Sequence, residues 1–154
     1  MEQFDILGPD DKPALLAIST PELIGTVKTT LTDMGYKVHA VEDHAQFELR
    51  FNQVNYQVVF IEEAFAGADS LENPTLRLVQ NLPMSLRRHA AIFLLGQGVE
   101  TLNAMQAFAQ SVHCVINYSE LPMLPQLVEK TVGENDMFLT TFRDVQRRVY
   151  QKTP

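Results

Sequence analysis

From Pro13 onward, short apolar runs alternate with longer stretches of helical period, the pattern that strands and crossover helices of a parallel sheet leave in a sequence. Residues 14–18, 37–41, 57–61, 91–95 and 114–116 read as strands. After the first, Leu23, Ile24, Val27, Leu31 and Met34 fall on one helical face. Ser19-Thr20-Pro21-Glu22 opens that helix, either as a capping box from Ser19 to Glu22 or with Thr20 as N-cap and Pro21 at the first helical position; Gly35 ends it. A second helix starts from Asp43 as N-cap and turns Phe47, Phe51 and Val54 toward the sheet. Asn73-Pro74 starts a third through Leu76, Val79 and Leu82, until Pro83 removes a backbone donor; a short turn over 84–88 follows. A fourth carries Leu102, Met105, Phe108 and Ala109, and a fifth begins near Ser119 or Glu120.

This order predicts an α/β fold: five βα units in a doubly wound, three-layer sandwich around a five-stranded parallel sheet of order 2-1-3-4-5. The second strand, Lys37-Val38-His39-Ala40-Val41, begins by alternating polar and apolar residues, as an edge strand does, whereas the third and fourth are continuously apolar and belong at the centre. Residues 1–12, with Gly8-Pro9-Asp10-Asp11, read as a leader or linker, 13–132 as the domain, and 133–154 as a helical extension.

That extension is longer than the domain requires. Leu121, Leu124, Leu127 and Val128 continue past Gly133 into Met137, Phe138, Phe142, Val145 and Val149 at helical spacing. Unbroken, 121–150 would span roughly 45 Å at 1.5 Å per residue, against about 30 Å for a small domain. The helix therefore overhangs, or bends at Gly133 and folds back as a sixth helix. An overhanging stripe of Met137, Phe138, Phe142 and Val145 calls for a dimer mate or another protein partner.

Composition narrows the functional classes. A chain of 154 residues with 45% hydrophobic content is one domain by length and buries a full core. A single cysteine, Cys114, excludes an internal disulfide framework and cysteine-rich zinc sites, so a cytoplasmic setting is expected. No apolar run approaches the ~18 residues of a membrane span, and the start of the chain lacks signal-peptide character. A net charge of -7 opposes direct binding to nucleic-acid backbones.

The candidate chemistry lies at the strand ends, where ligands of open α/β sheets bind. Tyr56-Gln57-Val58-Val59-Phe60-Ile61-Glu62-Glu63 delivers two carboxylates there, but the other ends offer Ser19, Thr20, Gly96 and Asn117, a poor catalytic set. Gly96-Gln97-Gly98 lacks the third glycine of a dinucleotide fingerprint and reads as a turn. His39, His44, His89 and His113 never recur at metal-ligand spacing. Cys114 and His113 should point to opposite faces of a strand, which excludes them as a nucleophile–base pair. Arg87-Arg88 and Arg147-Arg148 read as solvated surface clusters. No cofactor or metal is expected.

Over roughly 13–132 the chain resembles the receiver domain of bacterial response regulators. The resemblance implies the flavodoxin-like, CheY-like fold and a place in two-component signal transduction. It puts Glu62 at the position of the family's phosphoacceptor aspartate. It puts Ser19 and Thr20 at the acidic pair that helps hold magnesium, Gly96 at the threonine or serine of the fourth strand, and Asn117 at the lysine of the fifth. Cys114 stands at the switch aromatic. Phosphoryl transfer needs a nucleophile, magnesium, and groups that stabilise the transferred oxygens. The expectation is therefore a pseudo-receiver, a non-enzymatic module acting by protein–protein interaction, with Glu62 and Glu63 solvated at the strand end. The alternative is an atypical receiver still phosphorylated, or one binding a small anion or nucleotide near Ser19, Thr20 and Asn117. A cofactor-dependent enzyme on the same kind of sheet is a third reading.

Overall fold

The computed structural model describes residues 11–67, 73–81 and 90–151. Five parallel strands, β1 (Lys12–Ala17), β2 (Tyr36–Ala40), β3 (Val58–Glu62), β4 (Ala91–Gly96) and β5 (Cys114–Asn117), form one sheet in the order β2-β1-β3-β4-β5. Between and after them run α1 (Pro21–Asp33), α2 (His44–Gln53), α3 (Pro74–Gln80), α4 (Ala104–Gln110) and α5 (Leu124–Gln151), with short 3-10 turns at Phe65–Gly67 and Tyr118–Met123. The expected sheet order and helix-covered faces are both present. Residues 1–10 of the leader expected over 1–12, the turn over 84–88 and the residues Arg87, Arg88 and His89 lie outside the described residues. Lys12 already belongs to β1, pairing with Tyr36 and placing its ammonium 4.8 Å from that ring's centroid.

Each strand side chain takes its face from the twofold period of the strand. Ala14, Leu16, Phe60, Phe93 and Ile116 meet α1 and α5, through Leu23, Val27, Leu31, Leu124, Leu127 and Val128. Leu15, Val59, Ile61, Ile92, Leu94 and Val115 meet α2, α3 and α4, through Phe47, Leu76, Val79 and Ala107. Phe60 and Phe93, register partners, stack with ring centroids 4.6 Å apart. Each such buried side chain contributes about 1.5–3 kcal/mol.

Local signals set the helix ends. Pro21 occupies the first turn of α1, and Gly35, at φ 93°, ends it in the left-handed region. Asp43 and Asn73 accept backbone N–H groups at the starts of α2 and α3. The fourth helix differs from expectation. Leu102 precedes it in left-handed conformation, Met105 and Phe108 are 78% and 83% exposed, and the buried residue is Ala107. Spacing reports a helical period but not which side of a seven-residue helix meets the sheet. Near the fifth helix, Pro122 and Pro125 remove two backbone donors, so Tyr118–Met123 coils tightly before the α-helix starts at Leu124. That helix then runs unbroken through Gly133 for 28 residues, without folding back into a sixth helix. Leu139 is buried against the domain, whereas Met137, Phe138 and Val145 are exposed. Phe142 lies within the helix, with its side chain outside the description.

Candidate functional site

The sheet register decides which residues converge at the carboxyl ends of the strands. Ala17 lies beside Ile61, Glu62 beside Leu95, and Gly96 beside Asn117, with Ser19 and Thr20 just beyond β1. Glu62 ends β3 on the face that Phe60 shares, the side of α1 and α5, and is only 2% exposed. Its Oε1 accepts the backbone N–H of Ser19 at 2.8 Å and of Thr20 at 3.2 Å. Its Oε2 accepts the hydroxyls of Thr20 at 2.6 Å and Tyr118 at 2.9 Å. Burial pushes the Glu62 pKa up, but the Thr20 hydroxyl, the Ser19 amide, the Tyr118 hydroxyl and the Thr20 amide outweigh it and hold the carboxyl below its ordinary value. Burial, the hydrogen bond to Glu62 and the charges of Glu62 and Glu63 push the Tyr118 phenol far up. The pair is thus a carboxylate and a neutral phenol.

The expectation of a solvated Glu62 is corrected by this geometry. A glutamate at the strand end is long enough to reach the β1–α1 turn, where three donors meet it, and a fourth comes from Tyr118 after β5. Thr20 is the N-cap of α1, yet its side chain makes no capping bond, because its hydroxyl is committed to Glu62. The carboxylate also sits at the amino end of that helix, where the dipole favours negative charge.

Glu63 is half-buried rather than solvated. Its carboxyl group lies over the Cα of Gly96, in the space that a Cβ there would need. Burial raises its pKa, only partly opposed by hydrogen bonds from the Gly98 and Gln97 amides. Asn117 ties down the β4–α4 loop. Its Nδ2 donates to the carbonyls of Gln97 at 3.1 Å and Val99 at 2.8 Å, and its Oδ1 accepts from the amide and hydroxyl of Ser119. The Asn117 amide donates to Thr101 Oγ1 at 2.9 Å. Ser19 Oγ accepts the N–H of Ala66 at 2.7 Å. Buried Asn73 donates from Nδ2 to the carbonyls of Glu62 at 3.0 Å and Glu63 at 3.1 Å, while its Oδ1 caps α3.

All six strand-end positions singled out in the sequence therefore lie at this edge, with Glu62 bonded directly to Ser19 and Thr20, and Glu63 packed on Gly96. Asn117 serves the neighbouring loop. Tyr118, Thr101 and Asn73 were missed. Asn73 was legible as a helix cap but not as a support for β3, and a tyrosine directly after a strand end is the one signal that points to Tyr118.

No family model and no curated protein matches the chain. Solved structures do. A putative pilus assembly-related protein from Burkholderia pseudomallei is 16% identical, covering 84% of this chain and 95% of that one, with a TM-score of 0.60. The signal receiver domain of a putative LuxO repressor protein from Vibrio parahaemolyticus is 10% identical, covering 85% and 97%, with a TM-score of 0.67. NtrX from Brucella abortus, solved with ADP, is 14% identical over 90% of this chain but 30% of its own length, with a TM-score of 0.68. The fold is that of response-regulator receiver domains.

That fold raises the question of magnesium, which is held by several oxygen ligands and carboxylates above all. Both Glu62 oxygens are directed at protein donors, Glu63 rests on backbone amides, and the β1 end supplies Ser19 and Thr20. Among the described residues, no three His, Cys, Asp or Glu side chains come together. The described residues at this edge do not fit the ion.

Proposed function

We propose that this chain is a receiver-fold signalling module, a pseudo-receiver that is not an enzyme, is not competent for aspartyl phosphorylation and acts through protein contacts. The observation that carries this reading is the Glu62 carboxylate, buried at the phosphoacceptor position with both oxygens engaged by Ser19, Thr20 and Tyr118. A nucleophile must present an oxygen to its donor, and the transferred group needs cationic or hydrogen-bonding partners. Here the oxygens face inward, and the position of the fourth-strand hydroxyl holds the Glu63 carboxylate over Gly96, a charge that repels phosphate.

Glu62 works as a built-in anion. Thr20 and Tyr118 read its charge, which ties β3 to the start of α1 and to the turn leading into α5, so the domain is held in one arrangement. Its partners are proteins: other domains of a longer signalling chain, as the receiver-like part of NtrX covers only a fraction of that chain, a separate protein, or a second copy. The net charge of -7 disfavours nucleic acid. Among the described residues no helix is long and apolar enough to cross a membrane, and we place the module in the cytoplasm.

Incubation of the full chain with acetyl phosphate and magnesium, followed by intact-mass measurement, tests the proposal. No mass gain is expected. Addition of one phosphoryl group, abolished by Glu62→Ala or Ser19→Ala, would overturn it in favour of the atypical receiver.

A further inference from the structure

The long helix α5 carries one seam over its whole length, apolar except at Thr131 and Asn135. Leu124, Val128, Thr131, Asn135, Phe138, Phe142, Val145 and Val149 follow one another at alternating steps of four and three residues, the spacing of a coiled-coil face. Leu124, Val128, Thr131 and Asn135 are buried against the domain. Beyond Leu139, every described side chain of the helix is exposed. Phe138, Val145 and Val149 are 50%, 52% and 62% exposed. The part beyond Leu139 extends for about 18 Å at 1.5 Å per residue.

We propose that a second copy of this chain packs on that seam, with the two α5 helices antiparallel about a twofold axis. The continuity of the seam decides the direction. A parallel mate would bring its own first half, with the sheet it carries, to the side of α5 where this chain's sheet already lies. An antiparallel mate brings only its overhang to that side and keeps its sheet beyond the far end. Two overhangs of equal length then lie together between two domains, a closed arrangement that adds no further copies.

Charge agrees with this direction. Exposed Glu129, Glu134 and Asp136 lie in the first half of α5, and exposed Arg147 and Arg148 near its end. With Phe138 opposite Val149 of the second copy, Arg148, which flanks the seam beside Val149, comes within about five residues, roughly 8 Å along the axis, of that copy's Glu134 on the same flank. Glu134 also meets Lys130 of its own helix at 3.2 Å. A parallel pairing would set arginine against arginine. This surface is separate from the Glu62 site, and the two proposals stand or fall independently.

Sedimentation equilibrium of the full chain across the micromolar range should give two copies, and Val145→Glu, a change at an exposed position, one copy with unaltered circular dichroism. Spin labels on Glu129→Cys report the direction, since Cys114 is buried and escapes labelling. Labels on antiparallel helices stand roughly 40 Å apart along the axis, those on parallel helices side by side. A single copy at every concentration would overturn the proposal and leave the seam to a different protein. A dimer that survives Val145→Glu, or one whose labels lie within about 20 Å, would overturn it as well.

Discussion

Glu62→Ala would leave two amides and two hydroxyls without their common acceptor, a carboxylate that is itself only 2% exposed. The expected cost is about 2–3 kcal/mol in chemical denaturation, with Glu62→Gln losing less because its amide oxygen still accepts from Ser19 and Thr20. Tyr118→Phe removes one donor to a charged group and should cost about 1.5 kcal/mol. The pH dependence has a definite sign. Because the folded state holds Glu62 below its ordinary pKa, its contribution is complete above the ordinary carboxylate range and is lost as pH falls through the folded value. Stability measured against pH should therefore fall less steeply in acid for Glu62→Gln than for the wild type. Glu63 works in the opposite sense: its raised pKa makes the fold gain stability as pH falls through it. Gly96→Ala should displace the Glu63 carboxyl from the Gln97 and Gly98 amides at a cost of about 1 kcal/mol. In a Glu63→Ala background the same change should cost little, and a double-mutant cycle reads that coupling.

At the scale of elements, Asn73 joins the start of α3 to the end of β3. Asn73→Ala should cost about 2 kcal/mol in thermal or chemical unfolding, because it removes a helix cap and strands two carbonyls. Helix starts and stops were legible in the sequence, since Pro21, Gly35, Asp43 and Asn73 act on neighbours a few residues away. Orientation was less so. The 102–109 apolar series has a helical spacing, yet Met105 and Phe108 face solvent because the short α4 meets the sheet through Ala107. Gly133 left a bend open in the sequence. A glycine inside a helix costs only about 1 kcal/mol, and packing of Val128, Thr131 and Asn135 around it on the domain outweighs that.

For the whole molecule, strand order and layers were readable because the apolar runs alternate with helices and only right-handed crossovers join them. Position at the sheet edge was readable in the same way, and Ser19, Thr20, Glu62, Glu63, Gly96 and Asn117 all lie at that edge. What each side chain does there was not, because it depends on contacts across the fold. Tyr118 reaches Glu62 from 56 positions along the chain, and its place directly after a strand end is the one local sign of it. We propose that a built-in carboxylate closes the edge where receivers take up a phosphoryl group. Amide spectra of the isotope-labelled full chain, recorded while magnesium and beryllofluoride are added, test it most directly. Resonances of Ser19, Thr20, Glu63, Gly96 and Asn117 should stay in place; saturable shifts centred on those residues would show an open, working pocket and contradict it.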